Sequence, residues 1–158
     1  VEVSDVTGDL DLDSGSGGAV LDGVRGGILH MDVGSGSVRG RSIDVRELVA
    51  DVGSGGVQLG AVKTPKLHLE TGSGGSDVEL LTPAQDVSIE AGSGGVTLRI
   101  PGSSGAAVDI ETGSGGIETD FEVKVARVER RALRGTFGDG RGRIRIESGS
   151  GRVRLLKN

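Results

Sequence analysis

The stretch Leu67-His68-Leu69-Glu70-Thr71-Gly72-Ser73-Gly74 is one copy of a unit that recurs along the chain. Its Gly-Ser-Gly tripeptide occurs seven times, beginning at Gly15, Gly34, Gly53, Gly72, Gly92, Gly113 and Gly149, at spacings of 19, 19, 19, 20, 21 and 36 residues. A nearly fixed period of this length marks stacked coils, each burying its apolar face against its neighbours. Five residues before each first Gly stand Leu10, Leu29, Leu48, Leu67, Val87, Val108 and Ile144. Three before it stand Leu12, Met31, Ala50, Leu69, Ile89, Ile110 and Ile146. Apolar residues two apart turn one face of a strand inward. After the tripeptide, Val38, Val57, Val96, Ile117 and Val153 share a position, with Leu21, Leu59, Leu98 and Leu155 two residues further on. Val24, Ile43 and Val62 recur nine residues after the first Gly of their coils and supply a third inward point.

Each coil therefore reads as strand, Gly corner, strand and looser third side, and no segment carries helical periodicity. The expected fold is all-β, a single-stranded parallel β-helix (β-solenoid) of about seven or eight coils of 19–21 residues. The crossover rule makes it right-handed. The corner glycines are expected to supply positive φ and close backbone approach between coils. The whole chain, residues 1–158, reads as one domain, with regular coils over 1–120, an irregular coil and hairpin cap over 121–147 and a terminal strand over 148–158. An open solenoid end exposes strand edges and an apolar cross-section, which a cap must cover. Residues 121–147 hold both Phe residues and concentrate Arg127, Arg130, Arg131, Arg134, Arg141, Arg143 and Arg145. Gly138-Asp139-Gly140 is the hairpin signal there, expected to join the strand ending at Phe137 to the one beginning at Arg143.

Composition narrows the function. Of 158 residues 31 are Gly, 2 are Phe, and there is no Tyr, Trp or Cys. That excludes a disulfide framework and Cys-ligated metal centres. It also leaves no aromatic platform for sugar or nucleobase stacking. Net charge is −5, but residues 1–120 carry 7 Lys/Arg against 19 Asp/Glu, and residues 121–158 carry 11 against 4. The molecule is expected to be polarised from end to end, and its acidic body argues against nucleic-acid binding. Neither a membrane-spanning run nor a secretory leader is expected within these residues.

The apolar-x-apolar-acid-small-Gly-Ser-Gly unit at Leu67–Gly74 resembles the bacterial β-strand-repeat family labelled "putative adhesin". The ending Gly142-Arg143-Ile144-Arg145-Ile146-Glu147-Ser148-Gly149-Ser150-Gly151-Arg152-Val153 is similar to that family's closing strand pair. The resemblance covers roughly residues 8–158. It implies a single-stranded β-helix of unknown function, and it carries no functional residues over.

The candidate site is a column of carboxylates. Two residues before the seven tripeptides stand Asp13, Asp32, Asp51, Glu70, Glu90, Glu111 and Glu147. Their flanking positions point inward, so these side chains point outward, with successive members about 5 Å apart. Like charges at that spacing repel by roughly 1 kcal/mol per pair in water. The column is expected to be solvated or satisfied at the corners, and to offer a cation or ligand contact only secondarily. A bare row of carboxylates supplies too few oxygens for Ca²⁺, so no metal site and no cofactor are expected. Ser16, Ser35, Ser54, Ser73, Ser93, Ser114 and Ser150 form a second column at the corner tips, suited to tight polar turns. His30 and His68 share an outward position two coils apart, about 10 Å, too far to bind one zinc ion. No residue reads as catalytic, because coils without long loops build no substrate groove. The expected function is a non-catalytic module that presents a repetitive outer surface for binding or spacing at the bacterial cell envelope. A cell-envelope or carbohydrate ligand, weak self-association and an extracytoplasmic location go with it. A self-assembling scaffold is the alternative, and a polysaccharide-processing enzyme the minority one.

Overall fold

The computed structural model describes residues 1–83, 85–129 and 131–158, the side chains of residues 125–128 excepted. Among the described residues there is no helix. Strands β1 (Glu2–Thr7), β2 (Leu10–Ser14), β3 (Ala19–Val33), β4 (Val38–Val52), β5 (Val57–Lys63), β6 (Lys66–Thr71), β7 (Ser76–Leu80) and β8 (Asp86–Ala91) wind as parallel coils. They are followed by β9 (Val96–Ile100), β10 (Ala106–Thr112), β11 (Ile117–Thr119), β12 (Lys124–Glu129), β13 (Ala132–Phe137), β14 (Gly142–Ser148) and β15 (Val153–Lys157). The long strands β3 and β4 each run around most of a coil and pair with one another from Ala19↔Val38 to Val33↔Val52. The β-solenoid expected from the repeat is thus observed.

The inward columns form one aliphatic core. Leu29, Leu48, Leu67 and Val87 stack in register, as do Met31, Ala50, Leu69 and Ile89. All are buried, together with Val24, Ile43 and Val62 on the third side. Toward the ends of the stack Val3, Leu10 and Ile117 are half-buried. With so few aromatics the core is narrow, and it is filled by branched aliphatics in layers, as strand alternation requires.

The corners correct one expectation. None of the glycines in the Gly-Ser-Gly tripeptides has positive φ. Their requirement is space, since a Cβ on Gly53 would run into the Gly34 carbonyl, and one on Gly55 into that of Gly36. Successive corners lie this close because Ser35, Ser54, Ser73 and Ser93 each donate a backbone N–H to the first Gly of the corner below, at 3.1–3.2 Å. The left-handed turn sits at the next corner. Asp5 (φ 53°), Gly23 (72°), Ser42 (57°) and Ala61 (51°) bend the chain there, one above another by the register of their flanking residues.

Five coils, not seven or eight, wind in chain order, up to the corner after β8. From there the chain skips a level. Strand β9 pairs with β7 as the next coil should, but β10 does not pair with β8. The strand between them is β14, parallel to both, with Ile144 opposite Val87 on one side and Val108 on the other. After the corner at Gly149, β15 lies between β9 and β11 in the same way. In space the seven corners therefore stack as 15, 34, 53, 72, 92, 149, 113. The closing segment fits because Ile144, Ile146, Val153 and Leu155 repeat the inward pattern of every other coil, and all four are fully buried.

The hairpin cap is β12 and β13, antiparallel to each other, with β13 antiparallel on β10. The turn at Gly138-Asp139-Gly140 does join β13 to β14, but the two strands are not partners. They flank β10 on opposite sides, so Phe137 and Gly142 are both in register with Ala106. Phe121 and Phe137 meet at 4.3 Å between ring centroids, with the Lys157 ammonium 5.3 Å from the Phe121 centroid. This pair closes the core where the coils end. Arg130 and the Arg127 side chain, counted with the cap in the sequence, lie outside the described residues.

Candidate functional site

The strand before each corner presents two outward rows, because side chains alternate along it. The nearer row is acidic throughout. Register places Asp13, Asp32, Asp51, Glu70, Glu90, Glu147 and Glu111 side by side in that order. The column is continuous, but Glu90 and Glu111 are not neighbours, since Glu147 occupies the level between them. Six steps of about 4.8 Å give the row a length of roughly 29 Å. Asp51, Glu70, Glu90, Glu147 and Glu111 line an open groove of about 660 Å³, floored by the corner glycines.

The second row runs Asp11, His30, Val49, His68, Ser88, Arg145, Asp109, Arg134. It divides the groove electrostatically. Toward the C-terminal end every carboxylate meets a guanidinium. Arg145 holds Glu147 at 2.6 Å, and Arg134 holds Glu111 at 3.0 Å and Asp109 at 3.3 Å. The Arg145 guanidinium is pushed further above its usual range, first by its hydrogen bond to Glu147 and then by the nearby charges of Glu147, Asp109 and Glu90. Toward the N-terminal end the partners are imidazoles. His68 Nε2 lies 3.2 Å from Glu70 and His30 Nδ1 lies 3.0 Å from Asp11. The hydrogen bond to Asp11 raises the His30 pKa above 6.5, and the charges of Asp11, Asp32 and Asp51 add to it. Among the described residues Asp13, Asp32, Asp51 and Glu90 form no ion pair and face solvent. Among the described residues the uncompensated members of the row are therefore Asp13, Asp32 and Asp51, on three successive coils, and Glu90 beyond the His68-paired Glu70.

The basic partners Arg134 and Arg145 were legible only as composition, the Arg excess after residue 120. The sequence alone does not place them beside Asp109, Glu111 and Glu147. The Ser column is used by the fold, as the Ser73 and Ser150 hydroxyls donate to the carbonyls of Ser54 and Ser93 at 3.4 and 3.3 Å. His30 and His68 stand on either side of Val49, each tied to its own carboxylate. Among the described residues no three His, Cys, Asp or Glu side chains are grouped to hold a metal ion. No helix among them is long and apolar enough to cross a membrane.

No curated protein matches the chain. A solved structure of a "putative cell adhesion protein" from Clostridium sporogenes ATCC 15579 shares the fold, with a TM-score of 0.50 at 15% identity, covering 98% of this chain and 94% of that one. The family model Toastrack DUF4097 matches residues 2–156. With the repeat, the stacked corners and this match spanning nearly every residue, the chain belongs to the Toastrack DUF4097 family.

Proposed function

We propose that the chain is a non-catalytic β-solenoid module that displays its acidic row as a regular binding surface at the bacterial cell envelope. The observation that carries this reading is the row itself, seven carboxylates at one strand spacing on a rigid stack. Asp13, Asp32, Asp51 and Glu90 are left without an ion pair among the described residues. Fixed charges at about 4.8 Å intervals suit an extended ligand with repeated cationic or hydrogen-bond-donating groups, such as an amino-sugar polymer or a basic peptide segment of the envelope. The adhesion description of the structural relative points the same way. Coils without long excursions leave the groove open and unwalled, which suits a binding surface better than an active site that must exclude water.

The test is retention of the purified chain on isolated cell-envelope fragments at low and high salt, beside an Asp32→Asn/Asp51→Asn/Glu90→Gln variant. The reading expects salt-sensitive retention that the triple variant loses while keeping its thermal stability. Equal retention of both proteins, or of neither, would overturn it.

A further inference from the structure

We infer that residues 142–157 form an exchangeable coil, and that the slot they fill accepts the same segment from a second copy of the chain. This does not depend on what the acidic row binds.

Three observations carry it. First, β14 and β15 are paired on both sides by strands built from earlier sequence, β8 and β9 below and β10 and β11 above. They pair with nothing adjacent to them in sequence. The slot is thus one coil wide, with a parallel strand edge on each side. Such edges template the addition of a strand from any chain that matches them.

Second, the segment and its slot are complementary in charge. Residues 142–157 carry Arg143, Arg145, Arg152, Arg154 and Lys157 against the single acid Glu147. The four flanking strands carry Asp86, Glu90, Asp109, Glu111 and Glu118 against the single cation Arg99. Arg152 and Arg154 both reach Glu118, at 3.3 and 3.4 Å. The Arg-rich end of the sequence is therefore less a free basic pole than a wedge matched to an acidic gap.

Third, the link that inserts the segment is a tight arch that leaves room only for glycine at Gly138. Residues 138–141 must arch over the start of β10 to carry the chain from one side of Ala106 to the other, about 10 Å. Gly138 and Gly140 turn it at φ 60° and 66°, and a Cβ on Gly138 would come within 2.8 Å of both the Gly105 Cα and the Ser104 carbonyl. An extended link leading into a neighbouring molecule removes the need for that arch and reproduces every strand pairing, which is the condition for reciprocal exchange between identical chains.

The chain contains no Cys, so single cysteines report which copy supplies β15. Thr97 and Arg154 are in-register partners on β9 and β15, within the reach of a disulfide. Full-length Thr97→Cys and Arg154→Cys chains, distinguished by a tag, would be unfolded together, refolded at high concentration and oxidised. A mixed disulfide is expected between them. It should be lost when Gln58→Cys, two strands away in the same outward row, replaces Thr97→Cys. Mixed disulfide that is absent, or equal for Thr97→Cys and Gln58→Cys, would overturn the inference.

Discussion

Glu147 is the in-register partner of Glu90, across β14 and β8. The acidic row runs on from Glu90 to Glu111 through Glu147, because the last coil of the sequence occupies the level next to last in space. Site and topology are therefore one problem, since whatever seats β14 also completes the groove.

If β14 is an interior strand, Ile144→Ala and Ile146→Ala should each cost about 2–5 kcal/mol, the range for emptying a fully buried aliphatic site. Ile117→Ala, on the half-buried edge strand β11, should cost clearly less. Urea denaturation of the three variants checks this, and equal costs would place β14 at an edge.

The corner glycines separate close approach from backbone conformation. Gly53→Ala drives a methyl group into the Gly34 carbonyl and should cost at least about 1–3 kcal/mol. Gly15→Ala changes the same motif position in the first coil, where a Cβ meets nothing within 4 Å, and should lie within about 0.5 kcal/mol of neutral. Thermal melts showing both substitutions equally harmful would mean that the tripeptide itself, not the stacking, demands Gly.

The His30 titration should respond to its neighbour. Its pKa is raised by the hydrogen bond to Asp11 and by the surrounding carboxylates. The protonated ring therefore adds stability that is complete below about pH 6.5 and is lost as pH rises through the folded-state value. The side chain is 46% exposed, so solvent screening keeps that contribution to a few tenths of a kcal/mol at most. NMR titration should find the His30 midpoint lowered in Asp11→Asn, and an unchanged midpoint would contradict the pairing.

Calcium should leave the protein nearly unaffected. A site occupied at 100 times its Kd would add about 2.7 kcal/mol, a rise of several degrees in Tm for a chain of this size. Millimolar Ca²⁺ is expected to produce no such rise. One that appeared and vanished in Glu70→Gln/Glu90→Gln would make the row a metal site.

The core was readable because inward residues alternate with period two and recur with the coil. Leu67 and Leu69 needed nothing else to be placed. The acidic row was readable for the same reason, as Asp51 is bracketed by the inward Ala50 and Val52. The order of the levels was not. The unit around Ile144 and Ile146 matches the inward pattern of any level, so its period is silent about which strands it joins. The physical information lay in charge, with Arg143 and Arg145 on β14 facing strands that carry Asp86 and Asp109. Charge, however, does not specify register, and only the 36-residue gap marked the place. Nor could the tripeptide say whether its glycines serve φ or space, because both demands select the same residue.

The most direct test of the inserted coil is a pair of engineered disulfides in the full chain. Ser88 is opposite Arg145 in register, whereas winding in chain order would put Asp109 there. Ser88→Cys/Arg145→Cys should oxidise rapidly and within one molecule, and Ser88→Cys/Asp109→Cys should stay reduced under the same conditions, its Cα atoms being two strand spacings, about 10 Å, apart. Rapid intramolecular closure of the Ser88→Cys/Asp109→Cys pair would contradict the account.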